Sequence, residues 1–191
     1  MTYEELLREM EKQKDEMTVM ERMMEYAKGN EVDHIPYMLC GADTAANMYG
    51  YTLQQYRESL DVRFDIMEKM NKEFGTAAVG IGVGLKSIGE AVGSTLRYPE
   101  DGLDFVTDHI LKDYDQLDDM KVVDPYKCSN LKKIMDDFRK SKERFPNWGS
   151  GNNVAGPMTT ATSIRSLEAI LKDSVRRKED LHRLLDYCVE C

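Results

Sequence analysis

The chain has 191 residues and carries 35 acidic against 26 basic side chains, which gives a net charge of −9 at pH 7. This length supports one domain with a sizeable core, and an acidic surface without a Lys/Arg block argues against a nucleic-acid partner, because phosphate backbones repel it. No apolar run reaches membrane-spanning length and the N-terminus does not look like a secretory signal, so the sequence predicts a soluble cytoplasmic protein.

Residues 1–30 are predicted to form an N-terminal helical extension. Thr2 and Glu5 have the spacing of a capping box, in which each side chain bonds to the other residue's backbone. Apolar residues then recur at spacings of three, four or seven, up to a stop at Gly29. These residues are Leu6, Met10, Met17, Met20, Met24 and Ala27. We interpret the methionines as core rather than as a metal or cofactor site.

Three apolar runs, near residues 35–40, 78–85 and 152–158, predict buried parallel strands separated by helices. The helical regions are expected at 52–74, in two pieces with Asp61 capping the second, at 113–120, from a cap at Ser129, and near 163–172 and 178–191. An extended piece is expected at 93–99 and a loop at 145–151.

The second predicted strand carries three glycines, Gly80, Gly82 and Gly84, at alternate positions. Alternation places all three on one face, where another part of the molecule is expected to come close. A dinucleotide-binding fingerprint needs a different glycine spacing in the turn after the strand, so nucleotide binding is disfavoured.

The cysteines and histidines do not form a metal-binding pattern. Without a signal peptide the cysteines are expected to be reduced thiols, and Cys188-x-x-Cys191 lacks a second Cys/His pair at zinc-finger spacing. We interpret both as small hydrophobic residues. The histidines, His34, His109 and His182, are interpreted as structural or solvated.

Three groups of segments together resemble the uroporphyrinogen decarboxylase superfamily, which includes methyltransferases acting on methylated corrinoid proteins. The first group is Met20-Glu21-Arg22, Lys28-Gly29 and Asp33-His34-Ile35-Pro36, with His34 where arginine is usual. The second is Ile88–Gly93, Asp113–Leu117 and Val123-Asp124-Pro125. The third is Gly156-Pro157-Met158-Thr159-Thr160-Ala161, Leu171–Asp173 and Leu181–Asp186.

The resemblance implies an α/β fold, the N-terminal half of a (β/α)8 TIM barrel with about three parallel strands and surrounding helices. Residues 1–191 would form a single incomplete barrel domain, either a fragment of a longer reading frame or a half completed by a second polypeptide. Such barrels place their chemistry at the carboxyl ends of the strands. The predicted substrate-binding residues at those ends are Cys40, Asp43, Gly84, Met158 and Thr159.

The resemblance also implies a function. Decarboxylases of the family carry paired arginines after the first strand to hold porphyrinogen carboxylates, whereas residues 40–46 contain no Arg or Lys. This favours a corrinoid-dependent methyltransferase, which moves a methyl group between a methylcobamide protein and a thiol or tetrahydrofolate acceptor. Alternatives are a uroporphyrinogen decarboxylase and a non-catalytic binding subunit of the same fold.

The family's methyltransferases use zinc, held by His and Cys ligands in the C-terminal half of the barrel, to activate a thiol. No matching ligands occur here, and Gly84 stands where methyltransferases commonly show Asp. The segment alone is therefore expected to bind no cofactor, while a corrinoid protein and the missing barrel half are its expected partners. We also expect the isolated chain to self-associate and to show neither methyl transfer nor stoichiometric zinc.

Overall fold

The computed structural model describes residues 15–37, 39, 42–151 and 153–191, with the backbone alone at 42 and 43, and positions 2, 4, 5, 8 and 9 near the N-terminus. Among the described residues, no helix is both long and apolar enough to cross a membrane. The first predicted strand falls partly outside this description, because residues 38 and 40 are not included, and residues 35–37 form no strand.

Helices make up most of the described chain. In chain order they are α1 (Val19–Ala27), α2 (Ala42–Met48), α3 (Leu53–Glu58), α4 (Leu60–Phe74), α5 (Ser87–Ala91), a 3-10 helix (Tyr114–Asp119), α6 (Ser129–Arg144), α7 (Pro157–Ile164), α8 (Leu167–Arg176) and α9 (Lys178–Glu190). The strands are β1 (Ala78–Val79), β2 (Thr95–Arg97), β3 (Phe105–Asp108) and β4 (Gly149–Ser150).

The described strands form two separate pairs. β1 runs parallel to β4, with Ala78 opposite Gly149 and Val79 opposite Ser150. β2 and β3 form an antiparallel hairpin, which lies between β1 and β4 in the chain. The parallel pair with helices in its crossover confirms the predicted α/β class, whereas the described strands do not close into a barrel.

The bounds of both strands in the parallel pair differ from the predicted ones. The second predicted strand stops at Val79, because the following glycine-rich residues leave the pairing. The third lies at Gly149–Ser150, before the predicted range, and Pro157 begins α7. Proline suits the first turn of a helix, where its missing N–H has no partner to lose, so the Gly-Pro pair marks a helix start rather than a strand end.

Helix caps also shift by a few residues. Thr18 and Glu21 form the capping box of α1, so the predicted long N-terminal helix is interrupted before Val19. Ser59, not Asp61, caps α4, because its hydroxyl accepts the Val62 N–H at 3.3 Å. The helix predicted to be capped by Ser129 instead begins at that residue, with Cys128 in the cap position.

The largest core cluster joins α7, α8 and α9 to the 3-10 helix, and it contains the fully buried Ile164, Ile170 and Leu184. Burying one such side chain contributes about 1.5–3 kcal/mol. Cys188 belongs to this cluster, and burial raises the pKa of its thiol to about 12, as expected for a small hydrophobic residue rather than a reactive one.

An ion pair lies at the edge of this core. The Asp173 carboxylate accepts from Arg165 Nε at 2.7 Å and from the Tyr114 hydroxyl at 3.0 Å. Arg165 also donates to the Lys112 carbonyl at 2.8 Å. All of these partners satisfy the buried charges, so the network fixes the 3-10 helix against the turn between α7 and α8.

A smaller cluster packs beside the parallel pair. It contains Val79, Ile81 and Phe145, with Trp148 partly buried against it. The Phe145 and Trp148 rings stack with their centres 4.1 Å apart. These contacts hold the carboxyl end of β1, where residues 80–87 begin, against α6 and β4.

Candidate functional site

A cavity of about 780 Å³ opens beyond the carboxyl end of β1. Its walls are α3, residues 80–87, the hairpin β2–β3 and α6. This is the end of a parallel strand at which barrel enzymes bind their substrates. The size falls in the range of small-molecule sites, about 300–1,000 Å³.

The glycines after β1 form one wall of the cavity. A Cβ on Gly80 would meet no atom within 4 Å. Gly84 has φ +75°, a conformation that favours glycine, and a Cβ there would lie 3.5 Å from Ser87 Oγ. The predicted close approach of another segment is therefore absent at Gly80, which leaves open space instead.

Basic side chains from three elements line the cavity. Arg63, on α4, caps the C-terminal end of α3 by donating to the Tyr56 and Arg57 carbonyls at 2.7 and 2.6 Å. Lys86, in the segment after β1, pairs with Asp104 at 3.1 Å. On α6, Lys133 pairs at 2.6 Å with the buried Asp137, whose carboxylate also lies 3.9 Å from Arg63 Nη1.

Arg57 connects α3 to the hairpin turn at the cavity mouth. Its Nη1 donates to the Pro99 carbonyl at 2.5 Å, and its Nη2 donates to the Gly102 carbonyl. The Gln54 N–H adds a bond of 3.2 Å to the Glu100 carbonyl. These bonds hold the turn beside the cavity.

Glu90, on α5, and Tyr98, at the start of the hairpin turn, both line the cavity. Glu90 accepts from Asn130 Nδ2 at 2.8 Å. Burial and the neighbouring Glu90 carboxylate raise the pKa of the Tyr98 hydroxyl. The pair offers a negative charge next to an aromatic ring.

Of the predicted site residues, Gly84 lines this cavity. Met158 and Thr159 are exposed on α7 and are not among the residues that line it. Asp43 lies on α2 with its backbone described, and Cys40 lies outside the described residues. The role of these residues in binding substrate stays a prediction.

Sequence reasoning missed Arg57, Glu90 and Tyr98 as members of the site. Glu90 lies within a segment that resembles the family, but this resemblance does not indicate where its carboxylate points. The three residues meet because Arg57 on α3 bonds to the hairpin turn and Tyr98, at the start of that turn, lies beside Glu90 on α5.

The residues that the structure describes do not fit zinc. In the described part of the chain, the His/Cys/Asp/Glu group close enough to share a metal is Asp15, Asp33 and His34. Arg22 already donates to Asp33 at 2.5 and 2.7 Å and to Asp15 at 3.1 Å. A guanidinium within this group satisfies the carboxylates and repels a cation, so these residues form an ion-pair network.

Comparison with known proteins identifies the family. A family model for uroporphyrinogen decarboxylase matches residues 18–191. The chain belongs to the uroporphyrinogen decarboxylase family. This membership is the one that the sequence resemblance predicted.

A solved structure of a methyltransferase from Methanosarcina mazei has a similar fold, with a TM-score of 0.72 and 20% identity. The match covers 92% of this chain and 53% of the other, so this chain spans about half the length of that structure. No curated protein matches the chain significantly.

Proposed function

We propose that this chain provides the first part of a corrinoid-dependent methyltransferase, which moves a methyl group between a methylcobamide protein and a thiol or tetrahydrofolate acceptor. The observation that carries the proposal is the charge balance of the cavity. Four basic side chains line it, Arg57, Arg63, Lys86 and Lys133, and four acidic ones, Glu58, Glu90, Asp104 and Asp137.

A porphyrinogen carries many carboxylates and would need a site with excess positive charge. The balanced cavity does not offer this excess, and residues 40–46 add no Arg or Lys. A small methyl donor or acceptor places no such demand on the site. The Methanosarcina methyltransferase, with its shared fold, supports the same branch of the family.

In this proposal the described residues bind and orient the ligand. Ile81 and Val83 give the cavity an apolar side, and the bonds from Arg57 keep the hairpin turn in place. Because zinc does not fit the described residues, no step is assigned to it. We propose that the groups that activate the acceptor belong to the remaining half of the family barrel, supplied by further residues of a longer chain or by a second polypeptide.

A non-catalytic binding subunit is the second candidate. The observation that favours it is the glycine at position 84, which lines the cavity without offering a side chain for chemistry. In this case the cavity would bind a ligand and a partner would supply every reacting group. Decarboxylation remains the weaker alternative, for the reasons of charge given above.

The experiment uses the chain together with the rest of the barrel, whether as one longer chain or with a second polypeptide, and follows methylcob(III)alamin by its absorbance with a thiol or tetrahydrofolate present. Uroporphyrinogen is assayed in parallel for loss of carboxylates. Acceptor-dependent demethylation is the expected result. Turnover of uroporphyrinogen instead would contradict the proposal, and ligand binding with neither reaction would favour the binding subunit.

A matched pair of variants connects activity to the cavity. Gly80→Leu fills open space within the cavity, whereas Gly151→Leu enters open space outside it. We expect Gly80→Leu to lower methyl transfer at least tenfold and Gly151→Leu to leave it within twofold. Equal effects of the two substitutions would mean that the reaction takes place elsewhere.

A further inference from the structure

We propose that the cavity binds a small zwitterion, with its carboxylate on Arg57 and its cationic nitrogen beside Glu90. The inference rests on the proposed function in taking this cavity as the substrate site, and it names the chemical class of the ligand. It follows from which charges in the cavity already have partners and which do not.

Most of the cavity's charges neutralise one another. Lys86 pairs with Asp104, and Lys133 pairs with Asp137, which also lies within ion-pair distance of Arg63. A ligand would have to displace one of these partners in order to use the same charges. They are therefore poor candidates for holding an ionic ligand.

Arg57 differs from the other basic side chains of the cavity. Its bonds go to two neutral carbonyls, and among the described residues no carboxylate lies within 4 Å of its guanidinium. Arginine has five N–H donors, so the two bonds to the turn leave donors for a carboxylate. Arg57 thus provides an uncompensated positive charge at the cavity mouth.

Two acidic lining residues in the described part of the chain have no basic partner, Glu58 and Glu90. Glu58 accepts from the neutral amide of Gln54 at 2.9 Å. Glu90 lies beside Tyr98, so Glu90 provides the negative charge opposite Arg57. The partner of Glu90 in the hydrogen-bond network is the neutral amide of Asn130. Within the described part of the chain, no Lys or Arg nitrogen lies within 4 Å of the Glu90 carboxylate. A cationic nitrogen in the cavity would supply the missing opposite charge.

Tyr98 places these two charges within reach of one small molecule. The Arg57 Cζ atom lies 5.9 Å from the centre of the Tyr98 ring, and Glu90 lies beside the hydroxyl at the other end of the same side chain. Tyr98 is 49% exposed where it lines the cavity. Its ring can also attract a methylated ammonium group through a cation–π interaction.

The test is calorimetric titration of the full chain with small compounds that differ in the charges they carry. Glycine betaine carries both charges, 3,3-dimethylbutyrate replaces its nitrogen by carbon and keeps the carboxylate, and choline keeps the ammonium without the carboxylate. L-homocysteine, titrated in parallel, represents a zwitterion with a primary ammonium. We expect one of the two zwitterions to bind at least tenfold more tightly than either singly charged compound.

Several results would overturn the proposal. Binding of 3,3-dimethylbutyrate as tight as that of the zwitterions would mean that the cavity does not recognise the cation. Equally tight binding of choline would mean that it does not recognise the carboxylate. Failure of both zwitterions to bind would reject the class altogether. The comparison of betaine with homocysteine distinguishes a quaternary from a primary ammonium.

Variants assign each charge to its residue. Arg57→Gln is expected to remove the preference for the zwitterion over choline, and Glu90→Gln the preference over 3,3-dimethylbutyrate. Arg139→Gln and Glu143→Gln, both exposed on α6, are the matched controls and should bind as the unmodified chain does. Unchanged preferences in the Arg57 and Glu90 variants would reject the assignment.

Two further measurements separate the causes of a loss of binding. Arg57→Lys keeps the charge without the two-pronged geometry, so it should retain part of the preference even if the turn is loosened. Thermal unfolding of each variant reports whether the fold survives. Because these titrations contain no corrinoid, zwitterion binding without methyl transfer would contradict the proposed function alone.

Discussion

The contact between Gly89 and Ser163 holds α5 tightly against α7. A Cβ on Gly89 would lie 2.2 Å from Ser163 Oγ and 2.7 Å from the Ser163 carbonyl oxygen. We expect Gly89→Ala to lower the free energy of unfolding by about 1–3 kcal/mol, because the backbone cannot move aside without disturbing the core. Urea denaturation measures the change.

The control for this prediction is Gly151→Ala, because a Cβ on Gly151 would meet nothing within 4 Å. This variant should unfold within about 0.5 kcal/mol of the unmodified chain. Equal stability of the two variants would contradict the close helix packing.

Among the individual residues of the site, the sequence predicted some and not others. Gly84 could be placed at the cavity because it lies at the carboxyl end of a predicted strand. Arg57 and Glu90 could not, because Arg57 bonds to the hairpin turn and Glu90 accepts from Asn130 on α6, and both contacts join distant parts of the chain. Side-chain pairing of this kind leaves no periodic pattern in the sequence.

The ion pair between Arg22 and Asp33 connects α1 to the segment that follows it. Arg22 donates to both Asp33 oxygens, and the N–H of Glu16 donates at 3.0 Å. The Arg22 guanidinium, with lesser help from backbone N–H groups, holds the pKa of Asp33 well below its usual range. The carboxylate therefore stabilises the folded chain only while it is ionised.

The lowered pKa of Asp33 predicts how the stability of the chain depends on pH. The stabilisation by Asp33 is present above the pKa of an unfolded aspartate, about 3.9, and is lost as the pH falls toward the lower folded value. Asp33→Asn should be less stable than the unmodified chain near neutral pH, with the difference shrinking in acid. Urea midpoints across pH 2–7 measure it, with Asp186→Asn, an exposed position, as control. A difference independent of pH would reject the ionic role.

Helices were predicted better than strands. The spacing of apolar residues indicated α4, α6 and α9 with ends close to those observed. The strands are only two residues long in the parallel pair, too short to produce an alternating pattern. Their pairing depends on contacts with distant residues, which the local sequence does not encode.

The molecule as a whole exposes an apolar stripe on α8. Leu167, Leu171 and Val175, spaced four residues apart, are 57%, 59% and 75% exposed. Exposed apolar patches and strand edges favour association. We expect the purified chain to self-associate at micromolar concentration in sedimentation velocity, and Leu171→Lys to shift it toward the monomer.

The control for association is Glu168→Lys, which changes charge on the same helix without removing apolar surface. It should leave the distribution of species unchanged. Metal analysis of the same samples is expected to find less than one zinc per chain. A stable monomer with stoichiometric zinc would contradict both expectations.

At the scale of the molecule, the sequence predicted the α/β class and the family, because several segments in the right order indicate both. It did not predict the hairpin β2–β3 that forms one side of the cavity. The extended piece at 93–99 was visible in the sequence, but its partner strand β3 was not predicted and lies after the turn that Arg57 holds.

The stacked Trp148 ring has a practical consequence for studying this protein. It is the chain's single tryptophan, and it directly precedes Gly149, whose N–H bonds to the Ala77 carbonyl at 2.9 Å. Selective excitation of its fluorescence therefore reports on the parallel pairing of β1 with β4, two strands that are far apart in the sequence. Stopped-flow refolding monitored by this emission would time the formation of that pairing, without any label being attached.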